Sequence, residues 1–307
     1  MLKKIVLSAV CICLIFVSAV FSGNGTHSVL FLRMPTSAAV AGLNGAYTSL
    51  ADDVNSLSAN PAGLSYVSNK QFLFMHNNYF EDLTHNYIGY CQPVNFLKGT
   101  LGINCSLFDA GDIEKTRILT GVTYSNHGDF DAKDMAIGLS YGKKMNENIN
   151  AGISLKYINS KIESEKANAF AMDLGAILKT DIAEQPVKFG AVIKNLGTKL
   201  KYDKDKESLP SEYKLGASSL FPVNDVFSIT PSIDLIYVEN EDFNFNIGSE
   251  CCLLNSLFIR MGYDSSIDAG NGLSYGLGFK INRITIDYAF ASYDDIGDAH
   301  RISLTIK

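Results

Sequence analysis

The sequence predicts an all-β fold: a transmembrane antiparallel β-barrel of about 14 strands with an N-terminal hatch (plug) segment inside it. Alternation is the strongest sign. From Leu273 to Ile281 large apolar residues hold every odd position, and Ser274, Gly276, Gly278 and Lys280 fill the gaps. Successive side chains of a strand point to opposite faces, so one face is apolar and the other small and polar. Ile149–Tyr157, Phe227–Tyr237 and Ile284–Phe290 follow the same rule. The make-up of the second face separates a lipid barrel from a soluble one. A soluble sandwich or lipocalin-like barrel would carry Lys, Glu and Arg there. Here that face is mostly Gly, Ser, Ala and Thr, with about one charge per strand, which suits a crowded interior. Lipid cannot satisfy an open sheet edge, so strands of this kind must close on themselves.

The chain has 307 residues, 47% hydrophobic and 19% charged, enough for one large domain. It opens with Lys3 and Lys4, an apolar run from Ile5 to Phe21, and then Ser22-Gly23. That order is the signature of a cleaved secretory signal peptide over 1–22 and implies export, here to a bacterial outer membrane. Cleavage would remove two lysines, leaving 24 basic against 32 acidic residues, a formal charge of −8. An acidic chain without a basic stripe argues against nucleic acid as a partner. Outer-membrane lipid is the expected surrounding. Fifteen tyrosines, many near strand ends, fit an interfacial girdle.

Residues 23–68 do not alternate and are rich in Ala, Gly, Ser and Asn, with a short helix expected within 37–50. They cannot bury a core of their own, so the interior of the barrel formed by 69–307 is their expected host. From Gln71 on, alternating runs are separated by turn-rich, charged clusters. Strands are expected near 71–78, 84–92, 99–117, 129–142, 147–160, 167–180, 186–196 and 211–221. Further ones are expected near 225–238, 242–252, 255–264, 271–281, 282–292 and 299–307. The stretch 118–129 leaves room for one more. Short turns such as 281–283 belong on the periplasmic side, and longer charged links such as 199–211 on the outer side.

Seven charges fall on inward positions: Lys156, Asp173, Lys194, Asp234, Glu250, Arg260 and Asp287. An unpaired charge in a lumen is costly, so opposite signs should pair or meet the hatch. They mark either a ligand path or, the reading we favour, structural pairing of plug and wall. The five histidines (His27, His76, His85, His127 and His300) are scattered and form no motif with Ser or Asp, so no catalytic site and no enzyme are expected. No metal-ligand spacing or cofactor motif is visible. Cys91 and Cys105 flank the turn near 96–99 and could face each other across a hairpin, as a disulfide or as two thiols. Cys251 and Cys252 are strand neighbours and point to opposite faces.

The stretch Ala41-Gly42-Leu43-Asn44-Gly45-Ala46-Tyr47 to Asp52-Asp53, followed by Asn60-Pro61-Ala62-Gly63-Leu64, resembles the start of the PorV/PorQ family. That family is related to the FadL-type long-chain fatty-acid transporters and to the UPF0164 proteins. Ile286–Phe290, Gly297 and His300–Leu304 resemble its closing hairpin, and Gly128-Asp129-Phe130, Lys156 and Asp173 fall in similar settings. The resemblance implies a 14-stranded barrel filled by a hatch whose motif residues are Gly45, Asp52, Asp53, Asn60, Pro61, Ala62 and Gly63. Leu43-Asn44 stands where the family usually has Met-Gly, and the chain ends in Lys307 instead of the usual aromatic residue. Two roles follow from the resemblance. One is a conduit for a hydrophobic small molecule such as a fatty acid. The other is a partner module of type IX protein secretion that binds an exported protein or secretion component through its outer loops.

Overall fold

The computed structural model describes residues 27–79, 83–119, 123–202, 205–267, 270–294 and 297–307. The expected signal peptide at 1–22 lies outside them. Strands β1 (Gln71–Asn78), β2 (Thr84–Val94), β3 (Gly99–Leu119), β4 (Thr123–Lys144), β5 (Ile149–Ile162), β6 (Glu165–Ile182) and β7 (Gln185–Gly197) run as an antiparallel meander. A small hairpin follows, β8 (Leu200–Tyr202) and β9 (Asp205–Glu207). The meander resumes with β10 (Glu212–Ser219), its short continuation β11 (Phe221–Asn224), β12 (Phe227–Val238) and β13 (Phe243–Leu253). It ends with β14 (Leu257–Asp264), β15 (Leu273–Ile281), β16 (Ile284–Ser292) and β17 (Asp298–Ile306). Strands β1 and β17 pair from Phe72↔Ile306 to Asn78↔His300 and close the barrel at 14 staves among the described residues.

The alternation points the way the sequence predicts. Tyr275, Leu277 and Phe279 of β15 are each about half exposed on the outer surface, while Ser274, Gly276 and Gly278 between them are buried. No helix of the described residues is long and apolar enough to cross a membrane; the crossing elements are strands. Among the described residues the stretch 118–129 adds no stave: 118–119 extend β3 and 123–129 extend β4, and their pairing runs on to Leu119↔Thr123. On the neighbouring strands, pairing stops at Asp109 toward β2 and at Ala132 toward β5, so the β3–β4 hairpin projects beyond its neighbours.

Cys91 pairs in register with Gly102, and Cys105 with Ile88. The offset places the two thiols on opposite faces of the sheet, which corrects the expectation that they could meet. All four described cysteines are free.

The hatch threads the lumen from one mouth to the other. At the end carrying the longer links, Val29 and Phe31 pack with Ile158, Ala169, Leu200 and Leu209, and His27 bridges Ser208. The charged link 199–211 is therefore not simply an outer loop. Its Leu200 and Leu209 turn inward and cover the start of the hatch. Deeper in, Ser37 caps the single helical turn Ala38–Ala41 by accepting from Val40 N at 3.2 Å, and that turn packs on Ala289. Asp53 caps a 3-10 turn, Val54–Leu57, by accepting from Asn55 N at 3.0 Å. Asn60 caps the next, Pro61–Tyr66, with Pro61 at its start, where a missing N–H costs nothing. Val54, Leu57, Leu64 and Val67 then bury against Leu73, Met75, Tyr87 and Cys91 of β1 and β2.

Candidate functional site

What the molecule offers for function is the seam between hatch and wall. Small wall residues come first. A Cβ on Gly152 or Gly142 would run into the backbone at Pro61, one on Gly175 into Asn60, one on Gly190 into Thr48, and one on Gly262 into Leu43. These glycines lie on β4, β5, β6, β7 and β14, so the inner wall is hollowed along the path the hatch backbone follows. The small-residue face that marked the barrel interior in the sequence is thus the hatch's bed.

Hydrogen bonds fix the hatch in that bed. The buried Asn60 amide donates to Thr48 O at 2.9 Å and, in the wall, to Ala176 O at 3.3 Å and Ala191 O at 3.4 Å. Its Oδ1 accepts from Ala62 N at 3.1 Å. Asp234 of β12 accepts from Tyr47 N at 3.2 Å, Thr48 N at 3.0 Å and Thr48 Oγ1 at 2.6 Å. Gln71 Oε1 accepts from Val54 N at 2.9 Å, and Ser303 Oγ from Ala38 N at 3.1 Å. Gly45 has φ +76°, a left-handed backbone that glycine tolerates best, at the bend between the helical turn and Tyr47. Gly63 lies tight against Ala51 within the hatch, where a Cβ would overlap the backbone.

Ion pairs add a second set of ties. Asp52 Oδ2 lies 3.0 Å from Lys188 Nζ of β7, and that ammonium also sits 4.9 Å over the Tyr66 ring. Asp53 Oδ2 lies 2.9 Å from Lys307 Nζ, at the chain's last residue. Burial pushes the Asp53 carboxyl up, but the Lys307 ammonium and the donors of Asn55 outweigh it and hold it below the usual carboxylate range. At the other mouth Arg33 Nη1 donates to both oxygens of Glu241 at 2.9 Å and its Nε lies 4.0 Å from Glu212.

The seven inward charges are all placed in the wall with their side chains on the lumen side. Lys156 pairs with Asp173 at 2.6 Å and donates to Asn195 Oδ1 at 2.9 Å, while Asn195 N donates to Asp173 Oδ1 at 2.8 Å. This network sits at a β-bulge between β6 and β7, where Asn195 has φ +59°. Lys194 lies 3.5 Å from Glu212, which Lys214 approaches to 3.2 Å. Arg260 bridges Glu250 at 2.6 Å and Asp287 at 2.7 Å. Of the seven, Asp234 alone bonds the hatch in the described contacts; the other six pair within the wall.

Sequence reasoning missed the ties made by Arg33, Lys188, Glu212, Lys214, Glu241 and Lys307. Glu212 and Lys214 alternate on one face of the strand expected near 211–221, a usable signal, but the expected inward charges do not include them. The histidines stay apart. His85 and Ser106 share a buried hydrogen bond of 2.7 Å, but His85 Nδ1 has no hydrogen-bond partner, so no acid orients the ring. His127's side chain lies outside the described residues.

Beside the hatch, toward the outer mouth, lies a cavity of about 370 Å³ whose lining includes Arg33, Glu212, Lys214 and Arg301.

Solved structures share this architecture. The chain is 12% identical to the Pseudomonas putida toluene transporter TodX, covering 93% of this chain and 96% of that one with a TM-score of 0.55. For the Ralstonia pickettii toluene transporter TbuX the values are 9%, 88%, 96% and 0.56. For a Pseudomonas aeruginosa FadL homologue they are 10%, 88%, 98% and 0.52. At such identities the likeness shows the fold alone. No curated protein matches the sequence. A family model does: type IX secretion system membrane protein PorP/SprF, over residues 47–305. This is not the PorV/PorQ family that the hatch motifs suggested, although type IX secretion and the FadL-type barrel are common to both readings. A match running from the middle of the hatch to the last strand shows that the chain belongs to the PorP/SprF family of type IX secretion system membrane proteins.

Proposed function

We propose that this protein is a sealed outer-membrane barrel that serves type IX secretion as a partner module, holding an exported protein or secretion component at its outer end. The observation that carries the reading is the seam. The hatch is bonded to the wall from Arg33–Glu241 at one mouth to Asp53–Lys307 at the other, with the wall glycines filled by hatch backbone between. A conduit would need most of these contacts to break at once. The projecting β3–β4 hairpin supplies a platform beyond the rim, and among the described residues its outer part has no neighbouring strand alongside. Free strand edges of this kind accept an added strand from another chain. Nothing in this role calls for catalysis or a cofactor; export by a cleaved signal peptide brings the protein to the outer membrane.

The test is native mass spectrometry of the mature protein extracted gently from its own membrane. A stoichiometric exported protein or secretion component, lost when residues 113–128 are deleted, is the expected result. A bound hydrophobic molecule with no protein attached would sink the proposal. It would favour the second reading, a conduit for a hydrophobic small molecule such as a fatty acid, whose support is the barrel fold shared with the toluene transporters.

A further inference from the structure

Arg301 of β17 differs from every other buried cation described in the wall. Lys156, Lys194 and Arg260 each lie within ion-pair distance of a carboxylate. Arg301 is 2% exposed, and among the described residues no carboxylate lies within that distance of it. Its Nη2 donates to the Tyr79 hydroxyl at 2.6 Å, its guanidinium stacks 5.0 Å over the Tyr79 ring, and Tyr293 offers a second phenol. Its Nε has no hydrogen-bond partner. The register partner of Arg301 on β1 is Asn77, fully buried, with neither its amide nitrogen nor its amide oxygen hydrogen-bonded. A buried charge balanced only by phenols is costly, and idle donors beside it deepen the cost.

Arg301 also lines the 370 Å³ cavity between hatch and wall, a volume within the range of small-molecule sites. Arg33 and Lys214 line it as well, with Glu212 and Asp264 as the lining carboxylates; Glu212 is already shared by Lys214, Arg33 and, behind it, Lys194. Leu30, Met34 and Ile236 give it an apolar flank. We infer that this cavity is a binding site for a small organic monoanion. Its carboxylate would sit on Arg301 in the fork geometry that guanidinium favours, and its apolar body would lie against Leu30, Met34 and Ile236. The site is independent of the partner role: a sealed barrel can hold such a ligand without passing it.

The probes are 3-phenylpropionate, its neutral counterpart 3-phenylpropanol and inorganic phosphate, each titrated calorimetrically into the mature protein in lipid nanodiscs. Expected is saturable binding of 3-phenylpropionate, at least tenfold weaker for the alcohol, and weakened at least tenfold by Arg301→Gln. Ile236→Trp fills the cavity without touching the arginine and should abolish binding as well, which guards against a misfolded Arg301 variant. Binding of the acid and alcohol alike, or acid binding unchanged in both variants, would overturn the inference. So would phosphate binding as tightly as the acid, because the apolar flank would then contribute nothing.

Discussion

Lys307 Nζ lies 2.9 Å from Asp53 Oδ2, so the last residue of the chain fastens the hatch where it leaves the lumen. Lys307 N also donates to Arg283 O at 2.8 Å, which holds the terminus against the β15–β16 turn. Lys307, just past β17, therefore ties the hatch to the wall through both its side chain and its backbone.

Acid should loosen that fastening. The Asp53 carboxyl is held below its ordinary range in the folded protein, so its contribution is complete above the unfolded value of about 4 and fades as pH falls through the folded one. Proteolysis within the hatch should rise below about pH 4 in the native protein. Asp53→Asn should flatten that pH dependence and cost about 1 kcal/mol or less at neutral pH, because the lysine end of the pair is partly exposed.

Asp234 should matter more. It accepts three hydrogen bonds from Tyr47 and Thr48 in a buried setting, and its loss leaves the donors of both residues without their acceptor. Asp234→Ala should destabilise the hatch by roughly 3 kcal/mol, and Asp234→Asn by less, since the amide still offers one acceptor. Hydrogen exchange at the Tyr47 and Thr48 amides reads this directly: both should exchange faster in the alanine variant, with the barrel strands unchanged.

Wall glycines should tolerate no side chain where the hatch lies against them. Gly152→Ala and Gly175→Ala place a methyl group on Pro61 and Asn60, and each should cost about 1–3 kcal/mol as the hatch shifts or the wall bends. In planar bilayers these variants should show ion leakage that the wild type lacks. Equal conductance in variant and wild type would mean that the hatch can yield locally.

The Lys156–Asp173 pair offers a double-mutant test. Removing one partner strands a buried charge, so Lys156→Met or Asp173→Leu alone should cost about 3–5 kcal/mol by denaturant unfolding. The double variant should recover much of that loss. Additive losses would show that Asn195, which both residues bond, is the group that needs them.

Much of this architecture is legible in the residues because a period of two leaves few alternatives. Leu273–Ile281 could be placed by alternation alone, and all 14 staves were foreseeable, with ends shifted by a few residues. The inward charges were legible for the same reason. Their partners were not, since alternation assigns a face but not a height along the barrel: Glu212 and Lys194 are 18 positions apart in sequence yet share a register row. Cys91 and Cys105 illustrate the same gap, because a turn one residue longer or shorter would have changed their faces. The inward fold of Leu200 and Leu209 was hidden by the charges around them in a segment with no long strand of its own.

The central claim is that the hatch stays seated while the protein works. Ala41 and Ala289 are both buried in one small apolar contact between hatch and wall, and cysteines there can lock the two together. The measurement is type IX secretion by cells carrying Ala41→Cys/Ala289→Cys, in a background without Cys91, Cys105, Cys251 and Cys252, before and after oxidation. Secretion unchanged by the lock is the predicted result. Secretion that stops on oxidation and returns with reductant would contradict the account, because only a hatch that moves could be stopped by being fixed.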